Sequence, residues 1–146
     1  MLKEELITKS PVRILEKSIE GGLMAGNIGV IASRKGIGKT SVLVQLALDK
    51  LLQGEKVIHV SFTAHTSYVI SWYENIFTEL AKRRGLERLD EVRDELVKNR
   101  VIMNFAQEGV SIDQIVRSLK AMVVDGGFKA KTLIVDGFDF TRATKD

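Results

Sequence analysis

Four short apolar runs, at residues 28–32, 56–62, 101–105 and 132–136, alternate along the chain with longer stretches whose apolar residues recur every three or four positions. The runs read as strands and the stretches as helices. Residues 39–53 form a helix that is apolar nearly all round, through Val42, Leu43, Val44, Leu46, Ala47, Leu48, Leu51 and Leu52, so it is packed on several sides and stops at Gly54. Residues 68–84 follow helical spacing through Val69, Trp72, Tyr73, Ile76, Phe77 and Leu80, and Gly85 ends them. A charged helix follows at 86–99, with Leu89, Val92, Leu96 and Val97 inward. The last helix, 111–124, opens on a Ser111–Gln114 capping box and closes at Gly126-Gly127. Residues 1–20 carry a weaker helical pattern that Pro11 interrupts, and a glycine-rich turn at 21–26 leads into the first run. Strands alternating with helices predict an α/β fold with a mostly parallel sheet and helices on both faces.

The first run and the first long helix enclose Ser33, Arg34, Lys35, Gly36, Ile37, Gly38, Lys39 and Thr40. Strand, glycine-rich turn, Gly-Lys-Thr, helix is the order of a phosphate-binding P-loop. Phosphate oxygens need many donors at close range. Backbone N–H groups in a tight turn supply them, and a helix N-terminus adds a favourable dipole. Backbone amides from Arg34 to Ser41 would cradle the β-phosphate, Lys39 would bring a cation to the β- and γ-phosphates, and the Thr40 hydroxyl would ligate Mg²⁺. Ser33 stands where the pattern G-x-x-x-x-G-K-[ST] has its first glycine, a change the turn accommodates if φ stays negative. The predicted nucleotide-binding set is therefore Ser33 through Ser41, with Ser41 as the first residue beyond the motif.

Asp136 ends an apolar run, which puts a carboxylate at the carboxyl end of a strand, where α/β sheets place their ligands. Beside a P-loop it reads as the second protein ligand of the Mg²⁺; by itself it reads as a turn cap. Asp139 is either a residue behind it or a turn residue. His65 lies in the loop after the second run and is the one candidate catalytic base, with Thr66 or Ser67 expected to cap the next helix. His59, mid-strand, reads as structural. Trp72, Tyr73 and Phe77 read as core. Lys82, Arg83 and Arg84 suit a helix C-terminus, with nucleic-acid contact as the alternative.

The chain of 146 residues, 45% hydrophobic and 28% charged, fits one globular domain spanning 1–146. Its net charge of +3 permits contact with polyanions without predicting it. It holds no cysteine, which rules out disulfides and thiolate metal sites within it. The charged start, Met1 to Leu6, differs from a signal peptide, and no apolar run approaches the ~18 residues of a membrane span, so a cytoplasmic location and no membrane partner are expected.

From Leu15 to Asp136 the chain resembles the RecA-like ATPases, especially the branch of KaiC, RadA/Sms and the DnaB helicases. The resemblance rests on the Gly21-Gly22-Leu23-Met24-Ala25-Gly26 lead-in, on Gly36 to Thr40, on Val42 to Ala47, on Gly54 to Val57 and on Leu133 to Asp136. It implies a three-layer P-loop NTPase fold, ATP and Mg²⁺ as ligands, and homo-oligomeric ring or filament assembly. Two features depart from the family. Its water-polarising glutamate near the end of the second strand is replaced by Ser61-Phe62-Thr63-Ala64, and the family continues well beyond Asp136, so the fold is expected to be truncated. The family also inserts a strand between the P-loop strand and the Asp strand. Residues 141–146 are too polar to supply it, so the slot should be filled by something else or closed by direct pairing. The expected function is ATP binding with weak or absent hydrolysis by this chain alone. The alternatives are a nucleic-acid-dependent, helicase-like motor subunit and a non-catalytic nucleotide-sensing or assembly module, with a P-loop kinase behind them. The chain carries no Asn-Lys-x-Asp guanine-reading motif, which favours adenine mildly.

Overall fold

A computed structural model describes residues 1–144; Lys145 and Asp146, the end of the polar tail, lie outside the described residues. In chain order the elements are α1 (Lys3–Thr8), α2 (Val12–Ser18), α3 (Lys39–Leu52), β1 (Lys56–Ser61), α4 (Thr66–Arg84), α5 (Leu89–Lys98), β2 (Arg100–Asn104), α6 (Ile112–Lys120) and β3 (Ala130–Asp136). The protein is thus α/β, with a three-stranded parallel sheet in the order β2-β1-β3 and six α-helices among the described residues. The register aligns His59 with Ile102 and Ile134, and Ser61 with Asn104 and Asp136, so the carboxyl ends of all three strands finish level.

The periodic helices form where their spacing puts them. Most of the marked positions are buried: Val44, Ala47, Leu48, Leu51 and Leu52 of α3, Val69, Tyr73, Phe77 and Ala81 of α4, and Val92 and Leu96 of α5; Val97 of α5, expected inward, is instead 46% exposed, one position past the buried Leu96 on the helix's outer side, and Val42 at the start of α3 is 42% exposed. Together with Leu6 of α1, Val57 of β1 and Ile134 of β3, the buried ones make one core on one face of the sheet. Pro11 separates α1 from α2, and the Arg13 guanidinium of α2 donates to the Asp49 carboxylate of α3. Burial raises the Asp49 pKa, a shift the neighbouring Arg13 only partly offsets. The capping box of α6 forms as expected, the Gln114 N–H reaching the Ser111 hydroxyl and the Ser111 N–H reaching the Gln114 side chain. The helix then widens into a π turn at Ala121–Asp125 before the glycines close it.

The first predicted strand does not form. Residues 28–32 adopt no regular structure, and Ile28 and Val30 are largely exposed, at 89% and 78%. A parallel strand exists only through a ladder partner. The expected intervening strand has no counterpart among the described residues, and β3 pairs with β1 alone. The run keeps its apolar character, but among the described residues no strand pairs with it.

Candidate functional site

The Gly-Lys-Thr turn stands at the start of α3, and Gly38 is the residue that admits the chain into the helix. Its φ of +98° lies in the left-handed region, which a residue with a Cβ enters only with strain. The amide of Val42 donates to the Gly38 carbonyl as the first helical bond, 3.2 Å. Lys39 folds back across the turn. Its ammonium donates to the carbonyls of Ser33 at 2.9 Å and Arg34 at 3.1 Å, closing residues 33–39 into a ring. Gly36 and Ile37 lie on the exposed outer part of that ring, between Lys35 and Gly38.

Thr40, one residue into α3, points at the end of β3. Its Oγ1 donates to Asp136 Oδ2 at 2.9 Å, joining positions 96 residues apart. Ser41 is partly buried further along the same turn. Asp136 is itself buried, 8% exposed, and its carbonyl accepts from the Phe62 amide, which extends the ladder beyond β1. One hydroxyl and one carboxylate oxygen converging this closely suit a small hard cation that keeps most of its ligands as water and phosphate oxygen. The described residues hold no cluster of three or more metal-ligating side chains, so the site offers no all-protein cage.

The turn after β1 lies beside Asp136. Asn104, at the end of β2, clamps it by donating its side-chain amide to the carbonyls of Ser61 at 3.2 Å and Ala64 at 2.6 Å. The Ala64 amide donates to the Ser61 hydroxyl at 3.1 Å. Thr63 packs on Gly137, whose φ is +77°; a Cβ there would lie 2.4 Å from Thr63 Oγ1, so only glycine fits. The turn presents no acid. His65 is exposed and caps α4 itself, its Nδ1 accepting from the Ser67 amide at 3.2 Å; the cap is His65 rather than Thr66 or Ser67. Asp139 lies in a turn, its carboxylate accepting from the Thr141 amide and hydroxyl, which holds its carboxyl below the usual carboxylate range. The Gln107 side chain pairs both ways with the Asp139 backbone, at 2.8 Å each, and so ties the chain beyond β3 to the loop beyond β2.

Behind Asp136, on the closed face of the sheet, sits His59. It is fully buried. Its Nδ1 lies 2.8 Å from Tyr73 Oη, and its Nε2 lies 3.9 Å from Asp136 Oδ2. Burial lowers its pKa to about 4, an effect the Asp136 carboxylate opposes. Burial likewise raises the Tyr73 hydroxyl, so it stays protonated. Asn104, Gln107 and His59 were not legible as site residues. Only the level ends of three parallel strands bring the first to the turn, and a mid-strand histidine carries no signal of what it faces. Trp72 is half-buried, while Tyr73 and Phe77 are core. Arg83 pairs with Glu79 within the basic end of α4.

No family model matches the chain, and no solved structure matches it. One stretch of 47 residues is 40% identical to the DNA repair protein RadA of Aquifex aeolicus (strain VF5). That stretch is 32% of this chain and 10% of RadA, so the likeness covers a small part of the relative. Among the described residues no helix is long and apolar enough to cross a membrane. The short match to a RecA-family protein is a partial pointer to the RecA-like superfamily.

Proposed function

We propose that this chain is a nucleoside-triphosphate-binding domain of the RecA-like P-loop kind, taking ATP with Mg²⁺ and hydrolysing it weakly or not at all by itself. The observation that carries the reading is the 2.9 Å bond from Thr40 Oγ1 to Asp136 Oδ2. A motif threonine and a strand-ending acid, chosen from sequence for one metal, meet at one point. In this reading residues 33–41 wrap the phosphates with backbone amides. Lys39 exchanges its two carbonyl partners for phosphate oxygens, and Thr40 and Asp136 hold the metal, which supplies charge neutralisation at the phosphates. The weak turnover follows from the turn at 61–64, which offers Thr63 and no carboxylate to activate water. The name of the partial relative, a DNA repair protein, motivates a DNA-stimulated arm of the test and nothing stronger. Oligomer assembly belongs to the same proposal.

Calorimetric titration of Mg·ATP into the wild type and Lys39→Ala tests the binding. Loss of the charge-assisted contacts should weaken affinity by roughly 1.5–3 kcal/mol, about ten- to a hundredfold. Equal affinities would remove the reading. Phosphate release by the chain, with and without DNA, should stay well below about 1 s⁻¹ without a partner. Faster release would assign the water-activating role to another residue, with His65→Ala the first variant to make.

A further inference from the structure

A groove of about 560 Å³ runs between α3 and α4, and Ser41, the residue after the Gly-Lys-Thr turn, lines it. Small-molecule sites commonly measure about 300–1,000 Å³. The groove holds Ser41 and Gln45 of α3, one turn apart, against Tyr68 and Trp72 of α4, also one turn apart. The two aromatic rings meet edge to face, their centres 6.3 Å apart and their planes at 85°. Tyr68 is 56% exposed and Trp72 half-buried, so neither ring is used up in the core. The buried Leu48 adds apolar lining. The exposed side-chain amides of Gln45 and Asn75 line the same groove and offer donors and acceptors alike. Its charged residues, Asp49, Glu79, Arg83 and Arg84, start about 12 Å further along the helices from Ser41 and Tyr68. The end beside the phosphate turn is therefore aromatic, apolar and uncharged.

We propose that this end of the groove takes the base of the nucleotide, held by stacking on Tyr68 and Trp72. The inference rests on the nucleotide and Mg²⁺ reading above. A metal at Thr40 and Asp136 bridges the β- and γ-phosphates, so the γ end of the triphosphate faces β3. Ser41 lies about 100° round α3 from Thr40, on the groove side. The α-phosphate, ribose and base then leave the turn past Ser41 and along the groove, where Gln45 and Trp72 stand about 6 Å further in. An aromatic face accepts every base, and the larger purine ring covers more of it. Each amide presents a donor or an acceptor by turning over. The site therefore ranks purines above pyrimidines by stacked area and separates adenine from guanine only weakly.

Trp72 is the chain's one tryptophan, so the emission of the unaltered protein reports on the groove. Mg·ATP should change that emission saturably. Mg·tripolyphosphate, which carries the phosphates without a base, should bind by calorimetry and leave the emission in place. An unmoved signal at saturating Mg·ATP, or an equal change with tripolyphosphate, would overturn the proposal. A second arm uses variants of the exposed Tyr68. Tyr68→Ala should weaken Mg·ATP binding about five- to a hundredfold and leave tripolyphosphate affinity unchanged, while Tyr68→Phe, which keeps the ring, should bind both as the wild type does. An unchanged ATP affinity in Tyr68→Ala, or an equal loss for both ligands, would remove the stacking role. Mg·ATP and Mg·GTP should bind within about tenfold of each other and ahead of Mg·CTP; a larger gap between the purines, or CTP ahead, would mean that stacking does not hold the base. A wild type that binds neither Mg·ATP nor Mg·tripolyphosphate would sink the functional reading itself. One that binds both equally, with Trp72 silent, would sink only the base site.

Discussion

The two faces of the sheet end in different environments, and the face whose strand residues are all apolar is the less covered of the two. One face carries Val57, His59, Ser61, Ile134 and Asp136, all buried under α3 and α4. The other carries Ile58 and Val60, which are buried, and Leu133 and Val135, which stay about half exposed at 48% and 49%. Leu119 and Val123 line a cleft against Ile58 and Leu133, but no residue of α6 is buried. What differs is the partner. α3 and α4 present wide apolar stripes to their face, whereas α6 is short and breaks into a π turn before it covers β3. The nucleotide-site candidates lie at the rim of the closed face, where Asp136 and His59 are shielded from water, so their contacts act in a low-dielectric setting.

If burial, not apolar character, decides the energetics, truncation should separate the faces sharply. Leu51→Ala, in the middle of α3 and fully buried, should lose about 2–5 kcal/mol of stability by urea denaturation. A loss under about 1 kcal/mol would mean that the closed face is not the core.

The closed face should also make the protein acid-sensitive through His59. Its folded pKa of about 4 lies below the unfolded 6.5, so between those values the unfolded chain binds the proton that the native chain refuses. Stability is full above about pH 6.5 and falls as pH drops toward 4, by about 3 kcal/mol in total. Asp49, with its pKa raised, works the other way in the carboxylate range, where the native state takes the proton first. Urea midpoints of wild type and folded His59→Phe across pH 7 to 5 should show the slope in the former and its loss in the latter. Parallel profiles would mean that His59 is not held neutral by burial.

At the rim, Gly137→Ala forces a Cβ against Thr63 at a positive φ and should cost about 1–3 kcal/mol. The double change Gly137→Ala with Thr63→Ala should recover the steric part and leave the backbone strain. No recovery would mean that Thr63 does not close on the glycine. The smallest effect is expected on the open face. Leu133→Ser should change stability by less than about 1 kcal/mol, as surface substitutions do. A loss as large as that of Leu51→Ala would show that something covers β3 in solution.

What the chain determines locally was legible from it. The helical stripes of α3, α4 and α5, the Ser111–Gln114 box, the stop at Gly85 and the strands at β1, β2 and β3 all follow from spacing, capping chemistry and side-chain shape, which act over a few residues. The meeting of Thr40 with Asp136 was also readable, because the Gly-Lys-Thr turn and the strand-ending acid each carry their own pattern. The tertiary structure decided everything that needed a distant partner. Residues 28–32 have the composition of a strand and pair with none among the described residues, since a strand's backbone hydrogen bonds lie outside itself while a helix closes its own. His65 caps a helix because of where the loop turns. His59 reaches Asp136, and Asn104 reaches the turn after β1, because parallel register sets side chains from different strands at one height, a distance no linear spacing records.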